Sequence, residues 1–151
     1  MDALAFAPSA VTLNGEIRSA GATVSIGDSN TGVTLAGTTS IIDTTNNGGN
    51  AAGGGITLGG AINGTAANTQ SLTLNAGTGG AISATGNIGA TTTLATLTIT
   101  NSNGATFSGS VATGTSVVLT DTTDAANITF NGALTTPTLT TAAQGYDLDI
   151  L

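Results

Sequence analysis

An all-β fold, a single-stranded parallel β-helix (β-solenoid) of about six coils of 22–26 residues, is predicted by three observations. The first is recurrence. One seven-residue phrase occurs six times: Val11-Thr-Leu13-Asn-Gly15-Glu-Ile17, Val33-Thr-Leu35-Ala-Gly37-Thr-Thr39, Ile56-Thr-Leu58-Gly-Gly60-Ala-Ile62, Ile82-Ser-Ala84-Thr-Gly86-Asn-Ile88, Ala105-Thr-Phe107-Ser-Gly109-Ser-Val111 and Ile128-Thr-Phe130-Asn-Gly132-Ala-Leu134. Its glycines are spaced 22, 23, 26, 23 and 23 residues apart, a near-fixed period that marks a solenoid. The second observation is alternation: the phrase reads apolar, hydroxyl, apolar, the period of two expected of a half-buried strand. The third lies between the strands, where clusters such as 27–32 and 100–104 are rich in Asn, Asp, Gly and Thr. Those residues supply the left-handed and Asx-turn geometries of corners.

The elements follow in order. Residues 1–10 form a lead-in or partial coil, with the apolar stretch Leu4-Ala-Phe6-Ala7 ahead of Pro8. Residues 11–151 carry the repeats. Each phrase opens a coil, and a second strand follows it: Val24-Ser-Ile26, Ile41-Ile42, Leu72-Thr-Leu74, Leu97-Thr-Ile99, Val117-Val-Leu119 and Leu148-Asp-Ile150. Stacking the coils predicts one inward column of Val11, Val33, Ile56, Ile82, Ala105 and Ile128, and a second of Leu13, Leu35, Leu58, Ala84, Phe107 and Phe130. The small Ala105 and Ala84 fall beside the bulky Phe107, which reads as volume compensation in a packed core. The hydroxyl residues between the columns form an outward ladder. The phrase glycines are expected to point inward beside the core and let the backbone bend at a corner. The longest turn, Asp43 to Gly55, is expected to bulge from one face.

An antiparallel alternative would use Asn14-Gly15, Asn63-Gly64, Asn103-Gly104 and Asn131-Gly132 as hairpin turns. Two of these pairs sit inside the phrase, where the alternation runs straight through them. The last residues, Tyr146 to Leu151, read as one more strand without the polar cap that solenoids ordinarily carry. The sequence is therefore expected to be a length cut from a longer solenoid, or a unit that stacks end to end.

Composition narrows the function. Charged residues are 6% of the 151, against ~25% in an ordinary domain, and the 23 glycines with abundant Thr, Ser and Asn take their place. The regular placing of Ile, Leu and Phe argues against a disordered low-complexity segment. Arg18 is the single basic residue, His is absent and the formal charge is −7. That balance excludes a nucleic-acid partner, which needs cations to displace counterions from phosphates, and disfavours an anionic membrane surface. No apolar run is long enough for a transmembrane segment. Without Cys there is no disulfide framework and no thiolate chemistry. Met1-Asp2 lacks the basic start of a secretory signal.

The Val/Ile-Thr-Leu/Phe-x-Gly-x-Ile/Val/Leu phrases, the Leu72-to-Asn75 and Leu97-to-Thr100 strands and the Lys-free, Thr/Asn/Gly-rich composition resemble the β-helical repeat regions of large bacterial surface proteins. These include autotransporter passengers and filamentous-haemagglutinin-type exoproteins. The resemblance covers nearly the whole chain. It implies a right-handed β-helix acting as a stalk or adhesive shaft, extracellular or on the cell surface of a bacterium, and it carries over no catalytic or binding residue.

Enzymatic chemistry is not expected. Two carboxyls placed for glycoside hydrolysis are missing from the strands: Glu16 would neighbour Thr38 and Ala61 in adjacent coils, with Arg18 its local companion. No His, Cys or Lys is present to act as base, nucleophile or Schiff-base former. A calcium site would need six to eight oxygens. Asp28, Asp43, Asn75 and Asp121 each follow a second strand and would align at one corner, with Asp124 three residues beyond. The plainer account is that these Asx residues cap their own turns, and neither metal nor cofactor is expected. Ice binding would want two outward Thr per strand, whereas the positions beside the Thr ladder are Asn14, Ala36, Gly59, Thr85, Ser108 and Asn131. The expected function is structural and non-enzymatic, the partner being further coils of a longer chain or another copy stacked end to end. The alternative is an adhesin segment that binds glycan through the 43–55 loop.

Overall fold

The computed structural model describes residues 4–6, 8–120, 126–143 and 145–151. Among them there is no helix, and every named strand pairs in parallel. The strands stack into three sheets, the faces of a β-solenoid of about six turns. At ~4.8 Å per rung the six turns rise roughly 29 Å.

Among the described residues the first face has seven strands: Leu4–Phe6, Val24–Ile26, Ile56–Leu58, Ile82–Ala84, Ala105–Phe107, Asn127–Phe130 and Asp147–Ile150. The second face runs through Ala10–Leu13, Gly32–Leu35 and Ile62–Gly64, then a bridge at Ile88, the start of Val111–Leu119 and finally Leu134–Thr135. The third comprises Glu16–Arg18, Thr39–Asp43, Ser71–Asn75, Leu94–Asn101, the rest of Val111–Leu119 and Thr138–Thr141. Alternation within each short strand sends one set of side chains inward, where like stacks on like. On the first face the columns are Val24, Ile56, Ile82, Ala105, Ile128 and, beside them, Ile26, Leu58, Ala84, Phe107, Phe130, all buried. The third face adds Leu72, Leu97 and Val117, with Ile42, Leu74, Ile99 and Leu119 alongside. Phe107 and Phe130 stack with ring centroids 4.8 Å apart and planes 9° from parallel, in the offset range that aromatic pairs favour. Ala84 is the register partner of Phe107 on its other side and leaves room for the ring.

The register corrects the sequence reading of which phrases stack on which. The first two phrases do not stack on the other four. Val11 and Val33 pair with each other and then with Ile62, the last residue of the third phrase, so they belong to the second face. Leu13 and Leu35 go with them, and the ladder Thr12, Thr34 continues into Asn63. Their places on the first face are taken by Leu4–Phe6 and Val24–Ile26, and Leu148 and Ile150 extend that same face. Leu4–Phe6 therefore opens the first coil. First-face positions 4, 24, 56, 82, 105, 128 and 148 are in register, giving coils of 20, 32, 26, 23, 23 and 20 residues.

The phrase glycines divide in the same way. Gly60, Gly86, Gly109 and Gly132 form a stack at the corner between the first and second faces. A Cβ on Gly109 or Gly132 would lie 2.6 Å from the carbonyl oxygen of the glycine one coil away. It is close approach of backbone to backbone that demands glycine here, and the missing side chain is directed at the neighbouring coil instead of the core. Gly15 sits at a different corner, between the second and third faces, and needs glycine for its φ of +123°.

Candidate functional site

The third face ends in a polar register column. Arg18 pairs with Asp43, Asp43 with Asn75, and Asn75 with Asn101. Each is the last residue of its strand, where the alternation that buries Ile42 and Leu74 and partly buries Ile17 gives way to a corner. In the second coil this corner extends through residues 44–55 before the next first-face strand begins at Ile56.

Asp43 organises that corner. It is 3% exposed. One carboxylate oxygen accepts from the Thr45 N–H (2.8 Å) and the Thr45 hydroxyl (2.6 Å), and the other accepts from the Asn47 N–H (2.7 Å). The Arg18 guanidinium lies 3.9 Å from the second oxygen, while it holds exposed Glu16 at 2.7 Å. Burial pushes the Asp43 carboxyl up. The Thr45 hydroxyl, the Asn47 and Thr45 N–H groups and, least of all, Arg18 more than offset that, and the group is held below its ordinary 3.8. Glu16 itself pairs in register with Ile41, not with Thr38 as the sequence suggested, and a second acid, Asp43, does stand on the other side of its arginine.

The 43–55 loop is knitted to its neighbours on both sides. The fully buried Thr44 hydroxyl donates to the Gly54 carbonyl (2.7 Å) and accepts from the Gly54 N–H (2.9 Å), closing the loop at its neck. The N–H groups of Thr78 and Gly79 donate to the carbonyls of Ala51 and Ala52 in the coil on one side. The Asn50 side chain donates to Ala20 and the Gly21 N–H to Thr44 on the other. The tip, residues 46–49, is exposed, as are Ala51 and Ala52. Asn46 and Asn47 hold the tip in the left-handed region, at φ of 55° and 56°, a conformation Asn tolerates better than most residues.

Beside the loop runs an open groove of about 430 Å³, lined by residues that include Thr45, Asn75, Thr78, Thr100, Asn101 and Thr120. Its lining is uncharged and more apolar than polar in surface, and the hydroxyls of Thr45, Thr78 and Thr120 are bonded within the protein.

Of the four aspartates considered as cation ligands, the two that are described, Asp28 and Asp43, lie at different corners. Asp28 lies at the corner after the first face, where the Asn30 N–H and then the Thr31 hydroxyl hold its carboxyl below 3.8 against a desolvation that raises it. Asp43 is at the corner after the third face, its oxygens turned to its own loop. Asp121 and Asp124 fall outside the described residues. Asp28 and Asp43 both act as turn caps. The Arg18–Asp43 pairing was not found from sequence, although Ile17-Arg18 and Ile42-Asp43 carried a signal: an apolar residue followed by a charge, of opposite sign in the two strands.

Fold and corner together define the class, a parallel β-solenoid whose third face ends in an Asx-capped corner. A scan of protein-family models, a search of curated proteins and a search of solved structures each return no match for this chain.

Proposed function

We propose that this chain is a structural, non-enzymatic β-solenoid segment of an exported bacterial surface or filament-forming protein. It serves as a length of shaft whose ends meet further coils, either of a longer chain or of another copy. The observation that supports this reading is the continuity of register: three parallel sheets share one stacking axis through about six turns. Hydrogen bonds and buried columns therefore both run along the axis, the arrangement that makes a stiff rod. The composition and the resemblance to surface-protein repeats support export. Negative-stain electron microscopy of the purified chain at neutral pH, with and without calcium, tests the proposal. Fibres of uniform width identify a filament subunit, discrete short rods identify a length of stalk, and shapeless aggregate or globular particles count against both.

A second reading has one observation in its favour. The exposed 46–49 tip stands beside the neutral groove of Thr45, Asn75, Thr78, Thr100 and Thr120, which suits a glycan. An adhesin would give saturable carbohydrate binding on a glycan array that is lost when residues 46–49 are replaced. Binding that survives the replacement removes this reading.

A further inference from the structure

The three faces do not end level. Among the described residues the first face has seven rungs, whereas the second and third have six each. The seventh is Asp147–Ile150, laid on Asn127–Phe130 with Leu148 opposite Ile128 and Ile150 opposite Phe130. At the opposite end the first described strand, Leu4–Phe6, also lies on the first face.

This step governs how a second copy could dock. To continue the second and third faces, the incoming Ala10–Leu13 must lie on Leu134–Thr135 and the incoming Glu16–Arg18 on Thr138–Thr141. The incoming Leu4–Phe6 then requires the position that Asp147–Ile150 fills. Docking one rung further out avoids the clash but leaves a gap of ~4.8 Å in two of the three faces, with strand edges buried and unpaired. We propose that end-to-end growth of this chain proceeds by strand exchange, Asp147–Ile150 leaving its rung and Leu4–Phe6 of a second copy replacing it. The inference rests on the end-stacking form of the proposed function.

Two features indicate which strand leaves. Ile150 and Leu151 are 51% and 78% exposed, and they belong to the terminal strand or directly follow it. That strand also carries Asp147 and Asp149 at its edge, charges that discourage a further strand from pairing there. The incoming Leu4-Ala-Phe6 is uncharged and places Phe6 at the register position of Ile150, next after Phe107 and Phe130. The outgoing strand gives up its backbone pairing, including the Leu151 N–H to Phe130 carbonyl bond, and the incoming one remakes the ladder.

The chain has no cysteine, so Thr129→Cys with Asp149→Cys, at register partners on adjacent rungs, provides a lock that redox conditions open and close. Thiol titration verifies closure. With the bridge closed, sedimentable fibre should fall at least tenfold below that of the reduced variant and the parent, and discrete rods should remain. Equal growth in both redox states overturns strand exchange and leaves end stacking intact. If parent and reduced variant both fail to form fibres, end stacking fails and the exchange fails with it. Hydrogen exchange on parent fibres gives an independent readout: the Leu151 amide, bonded to the Phe130 carbonyl, should lose protection, and retained protection there overturns the proposal.

Discussion

The stacked aromatic column offers a test in which one substitution changes sign. Phe107 is 1% exposed, lies against Phe130 at 4.8 Å and has Ala84 as its partner on the other side. Phe107→Ala removes the ring between two hydrogen-bonded coils that cannot close the gap, so the loss should be about 3–5 kcal/mol. Of this, about 0.5–1.5 kcal/mol belongs to the aromatic pair itself. Ala84→Leu in the parent drives three added carbons into the ring and should cost about 1–3 kcal/mol. In the Phe107→Ala background the same three carbons enter the vacated space. At ~0.8 kcal/mol per buried carbon, they should restore about 2 kcal/mol. Urea denaturation of the four chains, followed by far-ultraviolet circular dichroism, measures the cycle. If Ala84→Leu costs the same in both backgrounds, residues 84 and 107 do not share a column and the register assigned here is wrong.

Gly86→Ala should destabilise by about 1–3 kcal/mol, the overpacking range, because its Cβ meets the backbone of Gly60. In a domain of this size that is a fall of roughly 2–12 °C in Tm, readable by thermal denaturation. Thr44→Val leaves the Gly54 N–H and carbonyl without their partner and should cost about 1–3 kcal/mol. Faster exchange of the Gly54 amide would place that loss at the neck of the loop. Asp28 and Asp43 both have native carboxyls lowered from 3.8. The stability they contribute is therefore complete above that value and is lost as pH falls through their lowered native values. A stability profile from pH 7 to 2 should be flat at first and drop below about 3.8, and Asp43→Asn should shrink the drop while costing stability at neutral pH.

Much of this fold was legible because its information is local. Alternation such as Ile56-Thr-Leu58, recurring with glycines at near-constant spacing, specifies strands, coils and parallel stacking. What the phrase does not carry is the face on which it lies. Val11-Thr-Leu13 and Ile56-Thr-Leu58 satisfy any face equally well, because each face wants an apolar pair flanking a hydroxyl. Nor does the length of the next corner decide it: two residues separate Leu13 from Glu16 and three separate Leu58 from Ile62. The glycines held the distinguishing clue, being fixed by a left-handed φ at Gly15 but by backbone contact at Gly86. That difference exists only in three dimensions. The Asp43 corner was half legible. Its length and turn chemistry were plain, but its docking on both sides depends on carbonyls of Ala20, Ala51 and Ala52, which no side-chain pattern announces.

Coil length varies from 20 to 32 residues without breaking register on the first face, and this separates height from mass. The twelve residues 44–55 widen one turn and add nothing along the axis. Axial length is thus counted in rungs, not amino acids, as on a ruler whose marks are strands. Insertions and deletions at a corner alter girth alone, while the gain or loss of one strand per face changes reach by a fixed quantum. A lineage of such chains can vary its surface freely and still keep a calibrated length.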